Sequence, residues 1–182
     1  MVFILWGKMK IKLDEIPESG LALDIKEEGA VFNDFAGGKL DFSFSSPVAA
    51  HLEVSKRGRS IFISGDIKTK VHFNCGRCLK EFDLPFDTDF ASYYERGTET
   101  EKEKELHSAD MDVNFISGDT LDTTELLLGQ ISLELPLQPL CIETCKGLCP
   151  KCGADLNLGE CGCGDQDKAD SKFEKLKDFK AK

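Results

Sequence analysis

Along residues 48–54 apolar and polar positions alternate: Val48, Ala50, Leu52 and Val54 fall on one side, Ala49, His51 and Glu53 on the other. A strand turns successive side chains to opposite faces, so this stretch predicts a strand with one buried and one wet face. Lys56-Arg57-Gly58-Arg59 reads as a hairpin turn. Ile61, Ile63, Ile67, Val71 and Phe73 carry the period-two stripe onward, with Lys68, Lys70 and His72 opposite. Cys75-Gly76-Arg77-Cys78 interrupts the stripe, and Phe82, Leu84 and Phe86 resume it. The cysteine pair is therefore expected at a bend between two strands. Residues 10–95 read mainly as strands, and antiparallel hairpins connect them economically.

After residue 96 the pattern changes. Residues 97–112 have almost no apolar content and dense charge, so an acidic flexible loop is predicted over 97–120. Asp122 and Glu125 have capping-box spacing, and Leu126, Leu127, Leu128, Ile131 and Leu135 form an apolar stripe that Pro136 ends, which predicts a helix over 121–136. Residues 137–165 form a cysteine-rich module. Ser171 and Glu174 repeat the capping spacing ahead of Phe173, Leu176 and Phe179, so a short amphipathic helix is expected over 166–182. The expected fold class is α+β: a mainly antiparallel β domain over 9–96, one helix, the C-terminal module and a terminal helix. Residues 1–8 read as an N-terminal extension, with Met9 an alternative start.

Composition narrows the class. A chain of 182 residues with 41% hydrophobic content and 13 Phe can bury a core without covalent staples. No apolar run approaches the roughly 18–20 residues of a membrane span, and the opening residues lack a basic n-region. A cytoplasmic protein is expected. The net charge of −10 is uneven. Residues 51–80 hold seven basic side chains against Glu53 and Asp66, whereas residues 81–135 hold fifteen acidic against three basic. That balance disfavours indiscriminate nucleic-acid coating. It leaves Lys56, Arg57, Arg59, Lys68, Lys70, Arg77 and Lys80 as RNA-facing candidates, set against a plain solvated sheet face.

The eight cysteines carry the chemistry. In a reducing compartment they read as metal ligands, and six of the eight fall between Cys141 and Cys163. Cys149-Pro150-Lys151-Cys152-Gly153 is the strongest signal, because both thiols of a Cys-x-x-Cys turn can point inward while backbone N–H groups face the sulfurs. With Cys161 and Cys163 it makes a first four-thiolate zinc site, closed and without a position for a reactive water. Cys75, Cys78, Cys141 and Cys145 would make a second. A rival partition joins the Cys75/Cys78 turn to Cys149/Cys152, and the spacing leaves both open. Redox chemistry at a Cys-x-x-Cys requires a helix N-terminus in a βαβ setting, which the flanking strands oppose. His51, His72 and His107 have neither triad nor ligand spacing, and no P-loop, Gly-x-Ser-x-Gly, His-Glu-x-x-His or dinucleotide fingerprint occurs. The expectation is a non-catalytic protein with no small-molecule substrate and no membrane partner.

At Cys75-Gly76-Arg77-Cys78-Leu79, and from Pro139-Leu140-Cys141 through Cys145-Lys146-Gly147-Leu148-Cys149-Pro150-Lys151-Cys152-Gly153-Ala154-Asp155-Leu156-Asn157, the chain resembles the YceD family of bacterial and plastid large ribosomal RNA subunit accumulation proteins. Asp170-Ser171-Lys172 departs from the Asp-Pro-Arg that relatives often carry. The resemblance implies a ribosome-biogenesis role in accumulating or processing large-subunit (23S) rRNA, with precursor rRNA or ribosome-assembly proteins as partners. The alternative is a zinc-stapled adaptor that receives a basic ribosomal protein on its acidic segment without touching RNA.

Overall fold

The computed structural model describes residues 10–97 and 113–163. Its centre is a pair of long antiparallel strands, β5 (Ser60–Asn74) and β6 (Glu81–Gly97), joined through the Cys75–Lys80 loop. One edge of β5 takes β4 (Val48–Arg57) along Ser60–Lys68 and the short β3 (Phe42–Phe44) along Val71–Phe73. β2 (Leu21–Glu27) flanks β4, and β7 (Val113–Ser117) flanks the end of β6, giving the order β2-β4-β5-β6-β7. Every pairing in this sheet is antiparallel except β6 with β7, which is parallel. A separate two-stranded ladder joins β1 (Lys10–Lys12) to β8 (Thr120–Asp122).

The period-two stripe becomes the core. Leu23, Ile25, Val48, Ala50, Leu52, Val54, Ile61, Ile63, Ile67, Val71 and Phe73 are buried on one sheet face. Gly65 belongs to the same stripe: a Cβ there would collide with the His51 carbonyl oxygen, so β4 and β5 can approach closely only over glycine. α2 (Thr123–Glu134) covers this face with Leu126, Leu127 and Ile131, and Asp122 caps it by accepting from the N–H groups of Thr124 and Glu125. Leu13 and Ile16 close one end of the core. There Lys56 donates to the Leu13 carbonyl at 3.0 Å, and Arg96 pairs with Asp14 at 2.8 Å.

Two expectations about the strand region need correction. Residues 10–95 include a helix, α1 (Gly29–Ala36), which lies on β3. Phe32 is buried against Phe44, and the Asn33 amide holds the Phe44 backbone from both sides. Only eight residues long, with no side-chain cap at Glu28, it has too little periodicity to announce itself. The segment expected as an acidic loop to residue 120 also contains β7 and the start of β8. Ile116 is buried there, and the surrounding charge masks that short apolar alternation. The expected extension at 1–8, most of the loop at 97–112 and the terminal helix over 166–182 lie outside the described residues. No helix among the described residues is long and apolar enough to cross a membrane.

Candidate metal centres

Cys75 and Cys78 stand where β5 turns into β6. Cys75 N–H donates to the Lys80 carbonyl at 2.9 Å, closing the loop, and Leu79 N–H returns to the Cys75 carbonyl at 3.0 Å. Pro136 follows α2, and the next turns bring Cys141 and Cys145 onto that loop, where the Pro139 carbonyl accepts from Gly76 N–H at 2.8 Å. The four sulfurs lie within 4.8 Å of one another. Cys75 and Cys145 are separated by 3.8 Å at sulfur, Cys78 and Cys141 by 3.6 Å. Four sulfurs bound to one tetrahedral zinc at ~2.3 Å would stand about 3.8 Å apart. The spacing thus fits a tetrahedral ion and is far beyond a disulfide bond of about 2.05 Å.

Cys149, Cys152, Cys161 and Cys163 form the other set, also within 4.8 Å of one another. Its knuckle repeats the first. Gly153 N–H returns to the Cys149 carbonyl at 2.8 Å, as Leu79 does to Cys75, and the residue after the second cysteine is left-handed in both, Gly153 at φ 73° and Leu79 at φ 60°. Glycine adopts that conformation freely. Leucine does so at a cost of about 1–2 kcal/mol, and Leu79 does so while 65% exposed.

The electrostatics are those of cages built for a cation. Burial opposes charge at Cys75, but the backbone N–H groups of Cys141, Cys78 and Arg77 face its sulfur and bring the thiol down to about 6. N–H groups of Cys152 and Lys151 bring Cys149 down to about 6 likewise. The last thiol in each set resists. Cys141 is pushed up to about 12 by burial and its sulfur neighbours, and Cys163 to about 12 by the sulfurs of Cys152 and Cys161. One thiolate forms readily and the fourth is opposed by the others, so a central dication supplies the charge the site lacks.

Arg77 and Asn157 carry the links between the two sets. The Arg77 guanidinium donates to the Cys145 carbonyl at 2.8 Å within its own set, and the Arg77 carbonyl accepts from Leu148 N–H of the next module at 3.2 Å. Asn157, within the second module, donates to the Cys145 sulfur at 3.4 Å while its Oδ1 accepts from Lys146 N–H at 2.8 Å. Leu148 and Asp155 form a β-bridge beside them. The spacing of Asn157 from Cys145 along the sequence gives no hint of the contact.

The basic residues, by contrast, do not converge. Lys56 is anchored on Leu13, and Arg59 on the Arg96 carbonyl at 3.0 Å. Lys68 is paired with Asp87 at 3.7 Å, and Arg77 is built into the cysteine knuckle. Arg57, Lys70 and Lys80 are exposed at separate places.

A mixed sheet with helices packed on its core, and residues 139–163 gathered around two four-sulfur sets, define a cysteine-clasped α+β protein. The chain belongs to the family described as large ribosomal RNA subunit accumulation protein YceD, whose model matches residues 63–180, including most of β5, all of β6 and α2, and all eight cysteines. It is 23% identical over 158 residues to the chloroplastic large ribosomal RNA subunit accumulation protein YCED homolog 1 of Arabidopsis thaliana, covering 70% of this chain and 47% of that protein. The Zea mays protein of the same name is 25% identical over 156 residues, covering 70% and 53%. An uncharacterised protein of Mycobacterium tuberculosis is 26% identical over 108 residues, covering 58% and 49%. The chain therefore spans about half the length of these curated relatives. No solved structure matches it.

Proposed function

We propose that this protein is a non-catalytic ribosome-biogenesis factor that supports accumulation of large-subunit rRNA in a reducing, cytoplasmic compartment, with zinc in both four-cysteine sets. The observation that carries the reading is the family match through residues 63–180, which spans both sets and the strands that hold them. All-thiolate tetrahedral donors suit zinc, and such closed sites act through folding rather than chemistry. Cells depleted of the protein are expected to show a lower ratio of large- to small-subunit rRNA with unprocessed precursor accumulating. An unchanged ratio would overturn the reading.

A second reading, a protein-binding adaptor that never touches RNA, is favoured by the surface beside α2. Leu40, Phe42, Leu135, Pro136, Leu137 and Pro139 form the apolar part of an open groove of about 840 Å³ that Lys39, Asp41 and His72 also line, and Leu137 is exposed there. Reversing the charge of Arg57, Lys68 and Lys70 separates the two, since only direct RNA contact predicts that RNA association is lost.

A further inference from the structure

The sheet face turned away from α2 has no covering element among the described residues, yet it is not a plain polar surface. Phe62 on β5 and Tyr93 on β6 are register partners with ring centroids 4.8 Å apart. Phe115 on β7 sits one row further, opposite Glu95. Tyr93 is 54% and Phe115 48% exposed. Ser55, Arg57, Ser60 and the two tilted rings line a depression of about 300 Å³.

Beside the rings, the same face turns acidic. Glu53 stands opposite Ser64, and in the next row Asp24, His51, Asp66 and Asp89 follow one another across four strands. His51 pairs with Asp24 at 2.7 Å. Asp66 and Asp89 are directly opposed, an arrangement that destabilises a sheet. Among the described residues, no lysine or arginine is paired with Asp66, Asp89 or Glu53; His51 already pairs with Asp24, and the Asp66 and Glu53 carboxylates act on the same imidazole. A cross-strand aromatic pair that merely stabilises the sheet accounts for Phe62 and Tyr93. It does not account for the exposed Phe115 or for two directly opposed carboxylates with no lysine or arginine paired to them.

We propose that this face docks a lysine- and arginine-rich polypeptide segment of another protein. Its cations would lie over Phe62, Tyr93 and Phe115 and against Glu53, Asp66 and Asp89. Aromatic faces and carboxylates both attract cations, whereas a nucleic acid would bring phosphate against the acidic row. Of the cations on this face, Lys68 is paired with Asp87 at 3.7 Å, and Arg57 lines the aromatic depression. The inference rests on the assembly reading above and gives that reading a basic protein partner.

The test uses the full zinc-loaded chain and a fluorescent 15-residue Arg/Lys-rich peptide, followed by anisotropy at low and physiological salt. The double variant Asp66→Asn/Asp89→Asn removes a repulsion, so it is expected to melt no lower than the parent while binding the peptide about 10-fold more weakly at low salt. Tyr93→Ala/Phe115→Ala is expected to lose roughly 5- to 30-fold. Peptide binding unchanged in both variants, no peptide binding by the parent, or single-stranded RNA protecting Tyr93 and Phe115 in place of peptide would each overturn the proposal. Complementation keeps the two readings apart. If depletion lowers the rRNA ratio and the Asp66→Asn/Asp89→Asn chain restores it fully, the docking face is refuted and the assembly role stands. If depletion changes nothing while peptide binding behaves as expected, the assembly role fails and the docking face stands.

Discussion

At the scale of single residues, the cysteine sets are supported by neighbours that are not ligands. Asn157 spans the two modules, with its amide nitrogen on the Cys145 sulfur and its oxygen on Lys146 N–H. Partners of this kind orient ligands, and losing one costs about 10- to 100-fold in metal affinity. Asn157→Ala is therefore expected to release one equivalent of metal at least ~10-fold more readily, measured by competition with a chromophoric chelator, while the other equivalent is less affected. Equal release of both would refute it. Leu79 makes the opposite case. It holds the left-handed position that Gly153 fills in the other knuckle. Leu79→Gly relieves that strain and loses part of the gain to the freer unfolded chain, so a net stabilisation of about 0.5–1 kcal/mol is expected in denaturant unfolding of the metal-loaded protein. Leu79→Val should destabilise, because a branched side chain fits that conformation worse.

At the scale of elements, β2 meets the start of α2 through an unfavourable contact. Glu27 closes β2 on the core face opposite Val48, and one carboxylate oxygen is buried without a hydrogen-bond partner. Burial, and then the nearby Asp122 carboxylate, raises its pKa. A carboxyl whose folded-state pKa is raised favours the protonated form, so its contribution to stability is fully present below the unfolded value and is lost as pH rises through the folded one. Glu27→Gln is expected to stabilise the protein at pH 7 by about 0.5 kcal/mol, a figure kept small because the group is only partly buried. The advantage should shrink toward pH 4, as paired denaturant curves would show. A gap that widens on acidification would refute the account. The same strand illustrates what periodicity reveals. The stripe from Val48 to Phe73 is legible because every second residue faces one core. α1 is not, since eight residues with Phe32 as their one fully buried large side chain make no helical stripe. The parallel partnership of β7 with β6 is hidden too, because nothing in five residues states which edge they will join.

At the scale of the whole molecule, the grouping of the cysteines depends on tertiary structure that spacing does not encode. Cys75 and Cys78 are 63 or more positions from their nearest sulfur partners Cys141 and Cys145, and they meet only because α2 crosses the sheet and delivers the chain to the β5–β6 turn. The two sets are therefore unequal. The Cys75/Cys78/Cys141/Cys145 set comes first in the chain and is anchored on β5 and β6, whereas the Cys149/Cys152/Cys161/Cys163 set, second in the chain, is made wholly of the segment after it and reaches the fold through Arg77, Leu148 and Asn157. That segment buries few apolar side chains, so its order depends on metal binding worth on the order of 10 kcal/mol per site. Loss of the first ion should consequently loosen both sets, and loss of the second only its own. Native mass spectrometry of Cys75→Ser is expected to show depletion of both metals, with residues 139–163 open to limited proteolysis. Cys152→Ser should keep one ion and a protected β5–β6 turn. The core packed by Ile63, Ile67, Leu127 and Ile131 is a cluster separate from that of Cys75, Cys78 and Cys145, with Phe82 packed against both, so a strong chelator should leave the strand signal in circular dichroism largely intact while residues 139–163 become cleavable. Equal single-metal loss in the two variants would mean that the modules fold independently and that the ties through Arg77 and Asn157 carry little energy.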